Sequence, residues 1–225
     1  MIGPMMVSAA KNAKIPVAVH LDHGLTLDVI KQALDLNFTS VMFDGSQYDV
    51  KQNLELTKTV VDLARKKGAC IEAELGVIGG DEGNGTSQTQ YTNPETARWF
   101  SESVNIDALA VAIGNAHGHY ASAPKLRLDI LKKIHQTVKI PLVLHGGTGI
   151  SPKDFRECIN FGISKINIAT ANLDSLTNGA KKYFTTTQGP HNYFSLNEAM
   201  VAGVYQNTKK YIQIFNNQIP LEQIS

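Results

Sequence analysis

Six short apolar runs recur along the chain, at residues 16–21, 40–43, 69–75, 108–113, 141–144 and 165–168. They are rich in Val, Ile, Leu and Ala and show little strict alternation, the pattern of strands buried on both faces. Helical periodicity fills the intervals. Residues 26–37 open on an N-cap threonine, and 53–67 place Leu56, Val60 and Leu63 on one side at i, i+4 and i+7. Residues 94–104 follow Asn93 and begin Pro-Glu, a favourable helix start, and 128–137 and 152–161 complete the series. A short helical segment at 7–12 precedes the first run. Residues 173–225 read as helix interrupted near Gly189-Pro190. Strand–helix alternation with right-handed crossovers gives an all-parallel α/β sheet.

The polar positions decide between an open sheet and a barrel. Every run leads into reactive or glycine-rich sequence: LDHG, FDGS, EAELG, GNAHG, LHGGTG and NIAT. An open sheet collects ligand groups at one switch point, whereas a barrel collects them from all strand ends into one mouth. A TIM (β/α)8-type barrel is therefore expected. Only six βα units are visible, so the expectation is a barrel N-terminally truncated to about six units plus C-terminal helices, in one domain over residues 1–225. Residues 77–92 form a long polar stretch with four glycines, which reads as a lid over the mouth.

Composition narrows the function classes. The formal charge of +1 offers no footprint for nucleic acid or an anionic membrane, so an anionic substrate must be held by local groups. No segment has the apolar core of a signal peptide or the length of a membrane span. Cys70 and Cys158 suggest no disulfide framework. Thiols in a reducing compartment, and hence the cytoplasm, are expected.

Of the seven histidines, His135 and His191 read as surface residues and His20 as a packed, hydrogen-bonded strand residue. His23, His117 and His145 instead stand at three separate strand ends, each followed by glycine. Neutral imidazoles converging from rigid elements suit a catalytic divalent metal with an open position. Asp22 precedes His23, and in an extended chain the two side chains diverge, one facing a metal and the other a reacting substrate. Asp44 and Glu74 also end strands and are candidates for supporting contacts or a second cation. Asp81 and Glu82 lie in the glycine-rich stretch. Gly146, Gly147 and Thr148, with Asn167, Ile168, Ala169 and Thr170 on the neighbouring strand end, suit phosphate binding through backbone N–H groups.

These motifs, HLDHG, FDGS, EAELGVIGGDEGN, AIGNAHGHY, LHGGTG and KINIAT in that order, resemble the class II, metal-dependent fructose-bisphosphate aldolase family, including its tagatose-bisphosphate branch. The resemblance spans the chain to about Thr170 and weakens beyond. It implies reversible cleavage of a ketose 1,6-bisphosphate into glycerone phosphate and glyceraldehyde 3-phosphate. His23, His117 and His145 would hold Zn2+, with Asp44 and Glu74 as second-site ligands for another divalent ion. Asp22 would carry the C4 hydroxyl proton and Glu82 the C3 proton. Gly118, Gly146, Thr148, Asn167 and Thr170 would contact the glycerone phosphate, assisted by a monovalent cation. A homo-oligomer, dimer or tetramer, is implied as well. Fructose 1,6-bisphosphate is the first expectation and tagatose 1,6-bisphosphate the alternative. A catalytically silent metal-binding fragment and a zinc hydrolase are the competing classes, HGGTG with NIAT weighing against the hydrolase. Lys165 reads as structural or electrostatic. His119 has no assigned role beyond an exposed loop residue.

Overall fold

The helices begin where short polar side chains can satisfy the first free N–H groups. In the computed structural model, which describes residues 2–80, 89–120, 122–217 and 219–224, Thr26, Asp49, Asn93 and Ser151 each accept from a backbone N–H of the turn they open. They start α2 (Leu27–Asp35), α3 (Val50–Lys67), α4 (Pro94–Ser103) and α6 (Pro152–Asn160). Gly68 ends α3 with φ 69°, a left-handed cap that glycine adopts without strain. α1 (Gly3–Lys11), α5 (Leu128–Thr137), α7 (Thr170–Thr186) and α8 (Tyr193–Phe215) complete the helices among the described residues, apart from one short 3-10 turn.

The principal strands are β1 (His20–Gly24), β2 (Ser40–Phe43), β3 (Cys70–Leu75), β5 (Ala108–Val111), β7 (Leu142–Leu144) and β8 (Ile163–Ile166). They form one parallel sheet in the order β1-β2-β3-β5-β7-β8. A separate parallel pair joins β4 (Gly79–Gly80) to β6 (Ala116–His117). The sheet is curled into a half-barrel: Asn167, just beyond β8, donates from Nδ2 to Asp22 Oδ1 in β1 at 3.0 Å, although the two strands do not pair among the described residues. The first and last expected runs are displaced, since β1 starts four residues after position 16 and β8 two residues before position 165.

Side-chain alternation in β3 was not anticipated. Ile71, Ala73 and Leu75 join the main hydrophobic cluster with Phe43, Val60, Phe100, Leu109, Leu131, Leu144 and Phe155, while Glu72 and Glu74 belong to the opposite face. The inner face has only a thin apolar layer of Met42, Ala110 and Val143, with Ala108 against it. Period-2 alternation is thus present, with both parities buried, because the inner face carries Glu72 and Glu74, the first of them paired with His145 and Lys165.

The described ends of the polar stretch at 77–92 are held by β pairing. Gly79 and Gly80 pair with Ala116 and His117, and Val77 pairs antiparallel with Gln90. Asp81 and Glu82 lie outside the described residues. Near the C-terminus, Gly179 and Gly203 let α7 and α8 approach closely: a Cβ on either would lie 2.5 or 2.4 Å from a carbonyl oxygen of the other helix. Phe155 packs edge-on against Tyr211 and Phe215, and Arg156 donates from Nε to the carbonyl of Ile214, fixing the end of α8 to α6.

Candidate metal centre

His23 has φ 46°, a left-handed conformation costing a non-glycine residue about 1–2 kcal/mol. The β1–β2 register shifts between Leu21 and Gly24 at the same place. The consequence corrects the expectation that Asp22 and His23 diverge. The bulge turns both toward one point, leaving Asp22 Oδ1 3.9 Å from His23 Nε2 and also 3.9 Å from His145 Nδ1.

The three imidazoles converge. Ring centroids of His23 lie 4.7 Å from those of both His117 and His145, and His117 and His145 are 5.9 Å apart. One donor atom from each lies within 4.8 Å of the others. His23 Nδ1 is 2.9 Å from Asp44 Oδ2, and His145 Nε2 is 2.8 Å from Glu72 Oε1. A carboxylate only accepts, so in the neutral rings the proton sits on the nitrogen beside it, which leaves His23 Nε2 and His145 Nδ1, 3.0 Å apart, with lone pairs toward each other. Two facing lone pairs repel unless a proton or a cation lies between them. Donor nitrogens of a tetrahedral zinc, each about 2.0–2.1 Å from the ion, stand about 3.3 Å apart, so this donor set fits the ion. A second group, His23, Asp44 and Glu74, also places ligand atoms within 4.8 Å of one another.

The electrostatics follow from burial. Burial pushes the Asp44 carboxyl up, but hydrogen bonds from His23 and Ser46 outweigh it and hold the group at about 2. Glu72 is likewise raised by burial and then held at about 2 by His145, Lys165 and His20. Glu74 has no such compensation. Burial, with Asp44 and Glu72 nearby, drives its carboxyl well above the usual range, and its Oε2 has no hydrogen-bond partner among the described residues. Burial together with the neighbouring His23 and His145 pushes His117 down to about 4, toward the neutral form that binds metals.

A small cleft beside the imidazoles is lined by Asp22, Gly118, Gly146, Gly147, Thr148, Asn167, Ala169 and Thr170. α7 begins here on Ala169, an N-cap residue whose own side chain accepts no hydrogen bond. Ala171 N–H donates to Thr148 Oγ1 at 3.0 Å, and the N-terminal end of the helix faces the cleft, a natural seat for an anion. Ile168 does not line the cleft; its side chain packs beneath Gly147, where a Cβ would come within 2.3 Å of Ile168 Cδ1.

A family model for class-II fructose-bisphosphate aldolases matches residues 1–218. The chain belongs to that family. Among solved structures, the YdjI aldolase from Escherichia coli K12 is 35% identical with TM-score 0.84, over 96% of this chain and 75% of that one. A putative fructose-1,6-biphosphate aldolase from Coccidioides immitis is 29% identical with TM-score 0.85, over 96% and 76%. A fructose-bisphosphate aldolase from Campylobacter jejuni, at 24% identity and TM-score 0.72 over 94% and 75%, shares the fold. The similarity runs through α7 and α8, well past the point near Thr170 where the motifs end.

Within this aldolase-family site, His20 hydrogen-bonds Ser40 Oγ at 2.8 Å, a packed residue as expected. Lys165 is 2.9 Å from Glu72 and 2.6 Å from Asn167 Oδ1, an electrostatic placement. His119 is exposed and lies 3.4 Å from Asp174 at the start of α7. Cys70 is exposed, Cys158 is buried, and both are free thiols. Among the described residues, no helix is long and apolar enough to cross a membrane. Three groups escaped the sequence reading. Glu72 could have been found from the CIEAEL alternation, which sets it on the same face as Glu74. Asn115 and Tyr120, which bond the backbone of the His145 loop, carry no pattern that announces it.

Proposed function

We propose that this chain is a zinc-dependent aldolase that reversibly cleaves a ketose 1,6-bisphosphate, fructose 1,6-bisphosphate first, to glycerone phosphate and glyceraldehyde 3-phosphate. The observation that carries the reading is the facing pair of imidazole nitrogens, His23 Nε2 and His145 Nδ1, 3.0 Å apart with their opposite ring nitrogens tied to carboxylates. When bound by His23, His117 and His145, a divalent cation supplies Lewis-acid polarisation of a carbonyl and favours the negative charge that develops there. The remaining work falls to the chain. Asp22, nearly half-exposed to the cleft and held by Asn167, takes the proton from the C4 hydroxyl as the C3–C4 bond breaks. The electron pair stays on C3, which regains a proton from Glu82 in this reading. The first turn of α7 and the Gly146–Gly147–Thr148 backbone hold the phosphate, and the reverse reaction retraces the same transfers. Asp44 and Glu74, with His23, would take a second divalent ion, and a monovalent cation would assist at the phosphate.

In the same reading the six-stranded sheet is the larger part of a (β/α)8 barrel in one domain, residues 1–225, working in the cytoplasm on small phosphorylated sugars. A homo-oligomer is supported by α8: Phe194, Val201, Tyr205 and Ile212 are 79%, 58%, 64% and 63% exposed. Their spacing of i, i+7, i+11 and i+18 makes one apolar stripe along the helix.

The test is a retro-aldol assay on fructose and tagatose 1,6-bisphosphates with and without EDTA. Cleavage of the fructose form, lost with EDTA and restored by Zn2+, is expected. Asp22→Ala should keep zinc and lose most turnover. Cleavage surviving both EDTA and His145→Ala would refute the metal reading, and a folded, zinc-loaded chain cleaving neither sugar would reduce the protein to a silent metal binder.

A further inference from the structure

We infer that Asn115 and Tyr120 form a clasp that sets the separation of His117 from His145, and are positioning residues for the metal centre. The inference rests on the metal reading above. His117 differs from the other two ligands in its support. His23 closes β1 and His145 follows β7, both strands of the six-stranded sheet, whereas His117 sits on the two-residue strand β6, paired only to β4 within that small sheet. Its place relative to His145 must come from contacts between the two loops.

Those contacts come from the residues flanking His117. Asn115 is fully buried; its Oδ1 accepts from Ile113 N–H at 2.8 Å, and its Nδ2 donates to the His145 carbonyl at 3.0 Å. The Tyr120 hydroxyl accepts from Ala116 N–H at 2.8 Å and donates to the Gly146 carbonyl at 2.9 Å. One loop therefore grips two successive carbonyls of the other, from positions two before and three after the ligand. Burial pushes the Tyr120 phenol above its ordinary value, which keeps the hydroxyl protonated and able to donate. Nothing can slide between the loops: a Cβ on Gly146, which has φ 64°, would lie 2.1 Å from the Ala116 carbonyl oxygen. The Tyr120 ring covers Gly149 on the far side, where a Cβ would meet it at 3.1 Å. His117 and His145, the most widely separated pair of rings, are thus the pair held at a fixed backbone spacing.

The test is Tyr120→Phe, which keeps the ring on Gly149 and removes only the hydroxyl. Two measurements are made. The first is Co2+ titration of the zinc-free chain, followed by its d–d absorption. The second is amide hydrogen exchange in EDTA, read at Ala116 and across residues 113–120 and 145–149. Tyr120→Phe should weaken Co2+ binding about tenfold, the size typical of groups that orient metal ligands, with a shifted d–d band. Exchange should rise in those two segments and not in α3. Asn115→Ala should do the same, and the double variant should lose less than the product of the two. Val60→Ala, a core change in α3, controls for stability: brought to the same melting temperature, it should leave Co2+ affinity and spectrum unchanged. The clasp is overturned if Tyr120→Phe binds Co2+ within twofold of the parent with an unaltered band, or if Val60→Ala loses as much. If the parent itself binds no Co2+, the metal reading fails, and unchanged exchange in Tyr120→Phe would separately overturn the clasp.

Discussion

Glu72→Gln is the substitution that most directly probes how the inner face supports the imidazoles. Glu72 is 2% exposed, with one oxygen 2.8 Å from His145 Nε2 and the other 2.9 Å from Lys165 Nζ. Glutamine keeps the shape and removes the charge. Its amide must either turn NH2 groups toward Lys165, setting donor against donor, or turn them toward His145, moving the ring proton to the nitrogen that faces the site. The magnitude follows from the carboxyl. Held at about 2 against an ordinary 4.5, it stabilises the metal-free fold by about 3 kcal/mol at pH 7, from 1.36 kcal/mol per unit. The Lys165 side chain is 36% exposed, and screening of its share brings the expectation to about 2–3 kcal/mol. The sign is set by the depressed value. This stability is present above pH 4.5 and lost as pH falls toward 2, so the gap between parent and variant should shrink over that interval. Urea unfolding in EDTA at pH 7 and pH 3.5 measures it. Zinc affinity should fall as well, by about 10–100-fold. A variant within 0.5 kcal/mol of the parent at pH 7, or a gap that widens at pH 3.5, would refute the reasoning.

Glu74→Gln should act in the opposite sense on the metal-free chain. Burial raises the Glu74 carboxyl above its ordinary 4.5, so ionisation favours the unfolded state and the penalty grows as pH rises. The urea midpoint of the variant relative to the parent should therefore climb from pH 4.5 to 8; a flat or falling difference counts against it. Zinc at 100 times its Kd should add about 2.7 kcal/mol to stability. With an unfolding entropy near 2.1 cal/mol/K per residue over 225 residues, that is a rise of about 6 °C in Tm. His145→Ala should abolish the rise and His119→Ala should keep it, as differential scanning calorimetry would show.

The strand ends were readable because the chemistry there repeats: His23, His117 and His145 each precede a glycine, and each follows an apolar run. Asp44 was readable for the same reason. Boundaries were less so. The run at 16–21 is as apolar as a strand, yet β1 starts only at His20, because the pairing partner Ser40 and the bulge at His23 set the register rather than local hydrophobicity. The long C-terminal helices were legible as helices but not as family sequence. Their identity lies in close packing at Gly179 and Gly203 and in the docking of Tyr211 and Phe215 on Phe155, features with no motif.

Asn115 and Tyr120 stayed hidden for one physical reason: the partner of each is a backbone group far along the chain. Asn115 bonds a carbonyl 30 residues away and Tyr120 one 26 residues away, and any residue at those positions would present the same oxygen. A side chain that recognises another side chain leaves two marks in a sequence, as His23 and Asp44 do. A side chain that recognises a carbonyl leaves one, and only the fold supplies the other. The three imidazoles therefore announce themselves, while the contacts that tie the His117 loop to the His145 loop come from an asparagine and a tyrosine that read, in isolation, as ordinary loop residues. Specifying a metal centre on a barrel takes both layers, since imidazoles offered from separate strand ends bind tightly only when their backbones are held at the distance the ion requires.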